Sequence, residues 1–177
     1  MVKKLMKFFA YLLFFIFALA MFMPKSSFYF LAEENLKKFD VVISNERLHS
    51  DILSLHIENL DITTKGIDSA LVKEADVTLL LFYNHLALKE IKLSSIIEAY
   101  APSKIESLDI KYTIVNPLVV EIESVGEFGT LWGSFNIKDR NLTLSLKPSK
   151  KMLRNYKKTM RMLKKSENGE YVYAKTF

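Results

Sequence analysis

The sequence predicts a mainly β protein with peripheral helices. It should have an N-terminal transmembrane helix, then an antiparallel β-meander forming a curved sheet, then a basic C-terminal amphipathic helix. Three observations carry this expectation. From Asp40 to Leu146, apolar and polar residues alternate with a period of two, the pattern of strands with one buried face. An unbroken apolar run from Phe8 to Met23 follows Lys3, Lys4 and Lys7. From Lys147 to Lys165 there are nine lysines and arginines and no acidic residue.

The apolar run comes first. Counted from Leu5, with Lys7 able to snorkel, it approaches the ~20 residues that a membrane-spanning helix needs. Phe8, Leu12, Leu13, Phe14, Phe15, Ile16, Phe17, Leu19 and Phe22 are the candidate anchor residues. More lysines precede the run than follow it, where Lys25 stands alone, so the leading end is expected in the cytoplasm and the rest outside it. Ala18-Leu19-Ala20 also fits a cleavage site, so a removed signal peptide competes with the anchor, and a buried core helix is a third alternative. The chain divides into residues 1–25, the cytoplasmic tip and anchor, and residues 26–177, an exported β-sheet domain containing the basic helix 149–165.

After Pro24, Ser26 or Ser27 can cap a short helix that turns Phe28, Leu31, Leu36 and Phe39 to one side. Strands follow. Leu53, Leu55 and Ile57 alternate, then Leu60 and Ile62 after a one-residue slip, the mark of a bulge or kink. Leu86 and Leu88, then Ile91 and Leu93, repeat that slip. Leu108, Ile110, Tyr112 and Ile114 alternate cleanly, as do Leu142, Leu144 and Leu146. Val77–Tyr83 is apolar on both faces and reads as a central or doubly covered strand. Ser95 and Glu98 begin a helical turn or two that Pro102 stops. "EYVYAKTF" alternates again and should return as an edge strand. Eight or nine strands are expected, with their apolar face either a closed core or a groove for acyl chains or a partner's strand.

Chemistry is sparse. The charge is +4 over residues 1–25, −7 over 26–146 and +8 over 147–177. The basic character therefore belongs to the ends, which argues against a basic nucleic-acid-binding domain, and no nucleic-acid partner is expected. The absence of cysteine removes disulfides, thiol catalysis and thiolate metal sites. His49, His56 and His85 share no metal-ligand spacing and read as surface histidines. No catalytic, metal or cofactor residue is assigned, and the chain reads as a non-enzyme.

In the basic segment, Met152, Tyr156, Met160 and Leu163 form a narrow apolar stripe at helical spacing. Lys150, Lys151, Arg154, Lys157, Lys158, Arg161, Lys164 and Lys165 occupy the rest. Either the helix packs its stripe on the sheet, or the charges meet anionic lipid headgroups of the anchoring membrane.

An anchor, then "ISNERLHSDILSLHIENLDI", a short helix ending at Pro102 and "GEFGTLWGSFNI" resemble the small members of the type II secretion protein N family, within the AsmA-like group. The "GTLWG" tract, Gly129–Gly133, and the strand-rich exported domain carry the similarity. The resemblance implies a single-pass inner-membrane protein with a periplasmic antiparallel β domain, acting in cell-envelope assembly or lipid handling. Its partners would be membrane lipid, acyl chains or envelope proteins. A type II secretion assembly subunit that binds other proteins through its sheet edge is the alternative.

Overall fold

The computed structural model describes residues 2–22, 24–80 and 82–177, without the side chains of Val2, Ala20 and Met21. Two helices lead, α1 (Val2–Phe22) and α2 (Lys25–Lys37). Strands β1 (Val41–Ser44), β2 (Arg47–Ser50), β3 (Ser54–Thr64), β4 (Ile67–Leu79) and β5 (Tyr83–Leu93) follow. The single-turn helix α3 (Ser95–Glu98) leads into β6 (Lys104–Thr113), β7 (Val119–Gly126), β8 (Gly129–Asn136) and β9 (Asn141–Pro148). Short helices α4 (Lys150–Asn155) and α5 (Lys157–Arg161), then β10 (Lys164–Lys165) and β11 (Tyr171–Thr176), complete the order.

Among the described residues all the strands belong to one 11-stranded antiparallel sheet, ordered β1-β3-β4-β5-β6-β7-β8-β9-β11-β10, with β2 also on β3. The strands beyond the expected eight or nine are the short edge pieces β1, β2 and β10, too brief to show a period. Tight turns make this meander. At Lys65-Gly66 both residues take positive φ, as a two-residue hairpin turn requires. Gly129 and Gly133 let β8 lie close to β9. A Cβ at either would stand 2.1 Å from a β9 carbonyl, Lys147 or Thr143.

The alternation slips seen in the sequence are real kinks. Asn59 and Glu90 both take left-handed, positive φ, which reverses the phase of the pleat inside a strand. The pairing registers skip Asn59 opposite Lys73, Lys73 opposite Glu90, and Glu90 opposite Glu106. These four exposed residues therefore stand abreast as a crease across β3–β6. Because the crease crosses every neighbour at the same level, Leu60, Val72, Ile91 and Ile105 stay on the face that Ile57, Ala75, Leu88 and Leu108 occupy before it.

The core lies on that face in two clusters. Leu55, Ile57, Leu60, Val72, Ala75 and Ile91 pack beneath Tyr29 of α2 together with Ile43 and Leu48. Phe128, Leu146, Met152 and Met160 form the second.

Several expectations change. Leu53 and Ile114 are not part of the sheet face. They lie in the turns beside β3 and β6 and are 49% and 58% exposed. Val77–Tyr83 is not a doubly covered strand, because β4 ends at Leu79 and β5 begins at Tyr83; Leu81 lies outside the described residues. Along α2 and the turn after it, Phe28, Leu31, Leu36 and Phe39 face outward, and Lys25 and Tyr29 turn inward instead. Pro24 precedes α2, with no side-chain cap from Ser26 or Ser27. The described side chains of α1 run unbroken only from Lys3 to Leu19, and among the described residues no helix is long and apolar enough to cross a membrane.

Ile57 and Ile114 alternate alike in sequence but differ in burial, 2% against 58% exposed. Ile57→Ala should cost about 2–5 kcal/mol, as deletion of buried methyl groups does. Ile114→Ala should stay within about 0.5 kcal/mol. Thermal unfolding of the two variants reads the difference, and equal melting temperatures would contradict this register.

Candidate apolar groove beneath the basic helix pair

The register places the apolar residues in rows that run across the strands. One row is Leu55, Val77, Leu86, Ile110, Ile122, Gly133, Leu144 and Tyr173, one residue from each of eight strands. The next is Ile57, Ala75, Leu88, Leu108, Ser124, Leu131, Leu146 and Tyr171. Tyr112 and Leu142 sit in a third row with Val120 and Phe135. Of the expected face residues, Leu55, Ile57 and Leu146 are buried, while Leu86, Leu88, Leu108, Ile110, Tyr112, Leu142 and Leu144 are only half-buried. Helices cover the two corners of the face, and its middle has no cover among the described residues.

The second corner is roofed by α4 and α5. Ser149 caps α4, its Oγ accepting the Met152 N–H at 3.1 Å and donating to the Glu127 carbonyl. The expected single helix over 149–165 does not form. Tyr156, at φ −115° and ψ 42°, divides it, and Lys164 and Lys165 pair with β11 as the edge strand β10. The break has a packing reason. Eight residues of continuous helix turn about 80° past two full turns, so Met152 and Met160 could not both point straight down. Broken, the stripe is buried, with Met152 and Met160 at the sheet and Tyr156 and Leu163 beside them. The Thr159 hydroxyl donates to the Tyr100 carbonyl at 2.6 Å, tying α5 to the β5–β6 connection.

Between roof and sheet lies an open cavity of about 380 Å³, lined by Leu108, Leu131, Leu144, Leu146, Met152, Leu163 and Tyr173 among others. Its size falls within the ~300–1,000 Å³ usual for small-molecule sites. The lining is almost wholly apolar. Ser124 turns its hydroxyl away to the Ser107 carbonyl at 2.8 Å. Met152 supplies a flexible, polarisable wall.

Outside the roof, Lys150, Arg154, Lys157, Lys158, Arg161, Lys164 and Lys165 are exposed, and Lys151 pairs with Glu127 at 2.6 Å. Lys157 and Arg161 line a shallow depression with Leu153, Met160 and Tyr171, next to the cavity, whose wall also includes Tyr171. A more polar depression of about 400 Å³ beside α3 contains Asp61, Asp68, Lys92 and Glu98. Among the described residues, no group of three or more histidines and carboxylates could hold a metal ion. The expected anchor residues with described side chains are exposed, apart from half-buried Ile16.

Comparison with known proteins gives no match to any family model, curated protein or solved structure. The resemblance to the type II secretion protein N family rests on the quoted residues alone. There the glycines of "GTLWG" serve strand contact, and its Trp132 stands on the outer face opposite Glu123 and Ser145.

That outer face holds two contacts invisible in the sequence. His56 Nδ1 lies 2.7 Å from Asp76 Oδ1, and His85 Nε2 lies 2.8 Å from Asp109 Oδ1, each across neighbouring strands. The hydrogen bond to Asp76, then the charges of Asp76, Glu58 and Glu74, lift His56 above 6.5 against the opposing effect of burial. The bond to His56, with help from Lys89, holds Asp76 below 3.8. The signs follow. The stability from His56 is complete below 6.5 and fades as pH rises through its raised value. That from Asp76 is present above 3.8 and fades as pH falls through its lowered value. NMR titration should place the His56 midpoint above 6.5, and Asp76→Asn should bring it down. A midpoint that Asp76→Asn leaves unmoved would show that the pair does not act on His56.

Proposed function

We propose that this chain is a membrane-anchored, non-enzymatic protein that holds acyl chains of an anionic lipid on the inner face of its sheet. Its sheet domain would lie on the exported, periplasmic side of the inner membrane and serve envelope assembly or lipid handling. The observation that carries this reading is the apolar cavity under α4 and α5, continuous with rows of half-buried aliphatic side chains. Packed cores do not leave such rows half-covered. Burial of that area by an acyl chain contributes about 25 cal/mol per Å². The headgroup has a matching place in the depression of Lys157 and Arg161.

The anchor reading draws on the whole of α1. Its 21 residues, at a rise of about 1.5 Å each, reach about the 30 Å of a bilayer's hydrocarbon core. Phe8, Leu13, Phe14, Phe15 and Phe17 face outward on different sides of α1. No observation favours the secretion-subunit reading. The terminal strands of the sheet are two to four residues long, so they offer a poor template for an added strand.

Reporter fusions after Ser44 and after Lys165 should both behave as exported, and a reporter active in the cytoplasm at either junction would sink the exported placement. Lipid content tests the groove. Leu144→Trp puts bulk into the cavity, and Ile110→Asp puts a charge on the open row. In both, mass spectrometry of the gently purified protein should show most of the co-purifying acyl chains lost while the fold persists. Folded variants with unchanged lipid would rule out the groove.

A further inference from the structure

We infer that the end of the sheet nearest α1 is itself a membrane-inserting rim, through which the groove opens to the acyl chains of the anchoring bilayer. This rests on the reading that α1 spans that bilayer. The registers bring the β2–β3, β4–β5, β6–β7 and β8–β9 turns and the end of β11 to one end of the strands. Loop tips are usually polar. Here each carries an outward apolar side chain: Ile52, Phe82, Val115, Ile137 and Phe177, with Val115 92% exposed.

Backbone hydrogen bonds join the tips into a belt. The Ile114 N–H donates to the Phe82 carbonyl at 3.0 Å, Ile137 to Leu118 at 2.8 Å, and Phe177 to Arg140 at 3.0 Å. The chain itself says what lies against the belt. α1 leads through Pro24 to α2, and the buried Lys25 at its start donates from Nζ to the Ile52 carbonyl on the rim. The end of α1 is thereby fastened at this edge. Exposed Lys138, Arg140 and Lys175 flank the apolar tips, as cations that snorkel to headgroups do at a bilayer surface. The opposite end differs. Its β3–β4 tip is Lys65-Gly66, Phe128 in its β7–β8 tip is buried, and its exposed apolar residues, Phe39, Ile67, Ile96, Tyr100 and Met162, stand at helix and strand ends beside those tips.

The cysteine-free sequence allows a direct test. Single substitutions Phe82→Cys, Val115→Cys, Ile137→Cys and, at the far end, Lys65→Cys are each labelled with a polarity-sensitive fluorophore. The full-length chains are then reconstituted in vesicles of phosphatidylethanolamine and phosphatidylglycerol. Labels at 82, 115 and 137 should emit further to the blue and be quenched by nitroxides carried on the lipid tails, and the label at 65 should not. Equal water exposure at all four positions overturns the rim. Lipid content measured on the same samples separates this from the groove: wet rim labels on a lipid-loaded protein sink the rim alone. Quenched rim labels on a protein free of acyl chains support the rim and sink the groove. A combined Phe82→Glu, Val115→Glu and Ile137→Glu variant should keep its melting temperature and lose most of its bound acyl chain, whereas full loading would overturn the opening to the bilayer.

Discussion

The structure depends on keeping a single apolar face in register across eight strands. A strand's side chains alternate with a period of two, so a slip of one residue sends its apolar set to the opposite face. β3, β4, β5 and β6 each contain such a slip, and one alone would expose half of a strand's apolar residues. The fold tolerates them because Asn59, Lys73, Glu90 and Glu106 stand abreast, so neighbours change phase at the same level. Asn59 accepts a left-handed φ readily; Glu90 does so at a cost. Lys73 and Glu90, 2.7 Å apart on the solvent side, mark the crease. At more than half exposure each, they add little stability. Burial on the other face is what holds the crease in place.

That face is larger than its covers. α2 reaches the first corner through Tyr29, whose phenol is pushed above its usual range by burial and then by Glu46 and Glu33. Its hydroxyl finds no hydrogen-bond partner among the described residues. The α4–α5 roof closes the second corner with two methionines. Neither reaches the middle rows, and an apolar face left half-wet is a free-energy cost that a bound chain removes. The same shortage of helices leaves the middle of the face half-buried, which is what the proposed groove requires.

Much of this was legible in the sequence, and the losses have physical reasons. The antiparallel meander, the slips at Leu60 and Ile91, the turn at Pro102 and the return of "EYVYAKTF" follow from periods of two and from turn residues. Leu53 and Ile114 misled because alternation continues into a turn without showing where pairing stops. The break at Tyr156 was hidden because Met152, Tyr156, Met160 and Leu163 suit one helix as well as two. The His56–Asp76 contact depends on the β3–β4 register, which no local pattern reveals. Phe82, Val115 and Ile137 did carry a signal as apolar residues at turn tips. Their convergence on one rim appears only when the strands are paired.

The cations of α4 and α5 and the apolar tips of the rim therefore occupy opposite ends of the strands. β8 and β9 are eight residues long; at about 3.3 Å per residue they separate the rim from the α4–α5 roof by about 26 Å. The Debye length at physiological ionic strength is only ~8 Å. On the proposed placement, a membrane at the rim would be screened from Arg154, Lys157 and Arg161. Their field falls on whatever sits at the far mouth of the cavity. For a lipid that enters tail-last at the rim, the apolar rows provide a path with little polar interruption, and the cations come into play only where its headgroup arrives. If the groove and the rim act as proposed, this arrangement would favour movement of an anionic lipid away from the bilayer over retention at its surface.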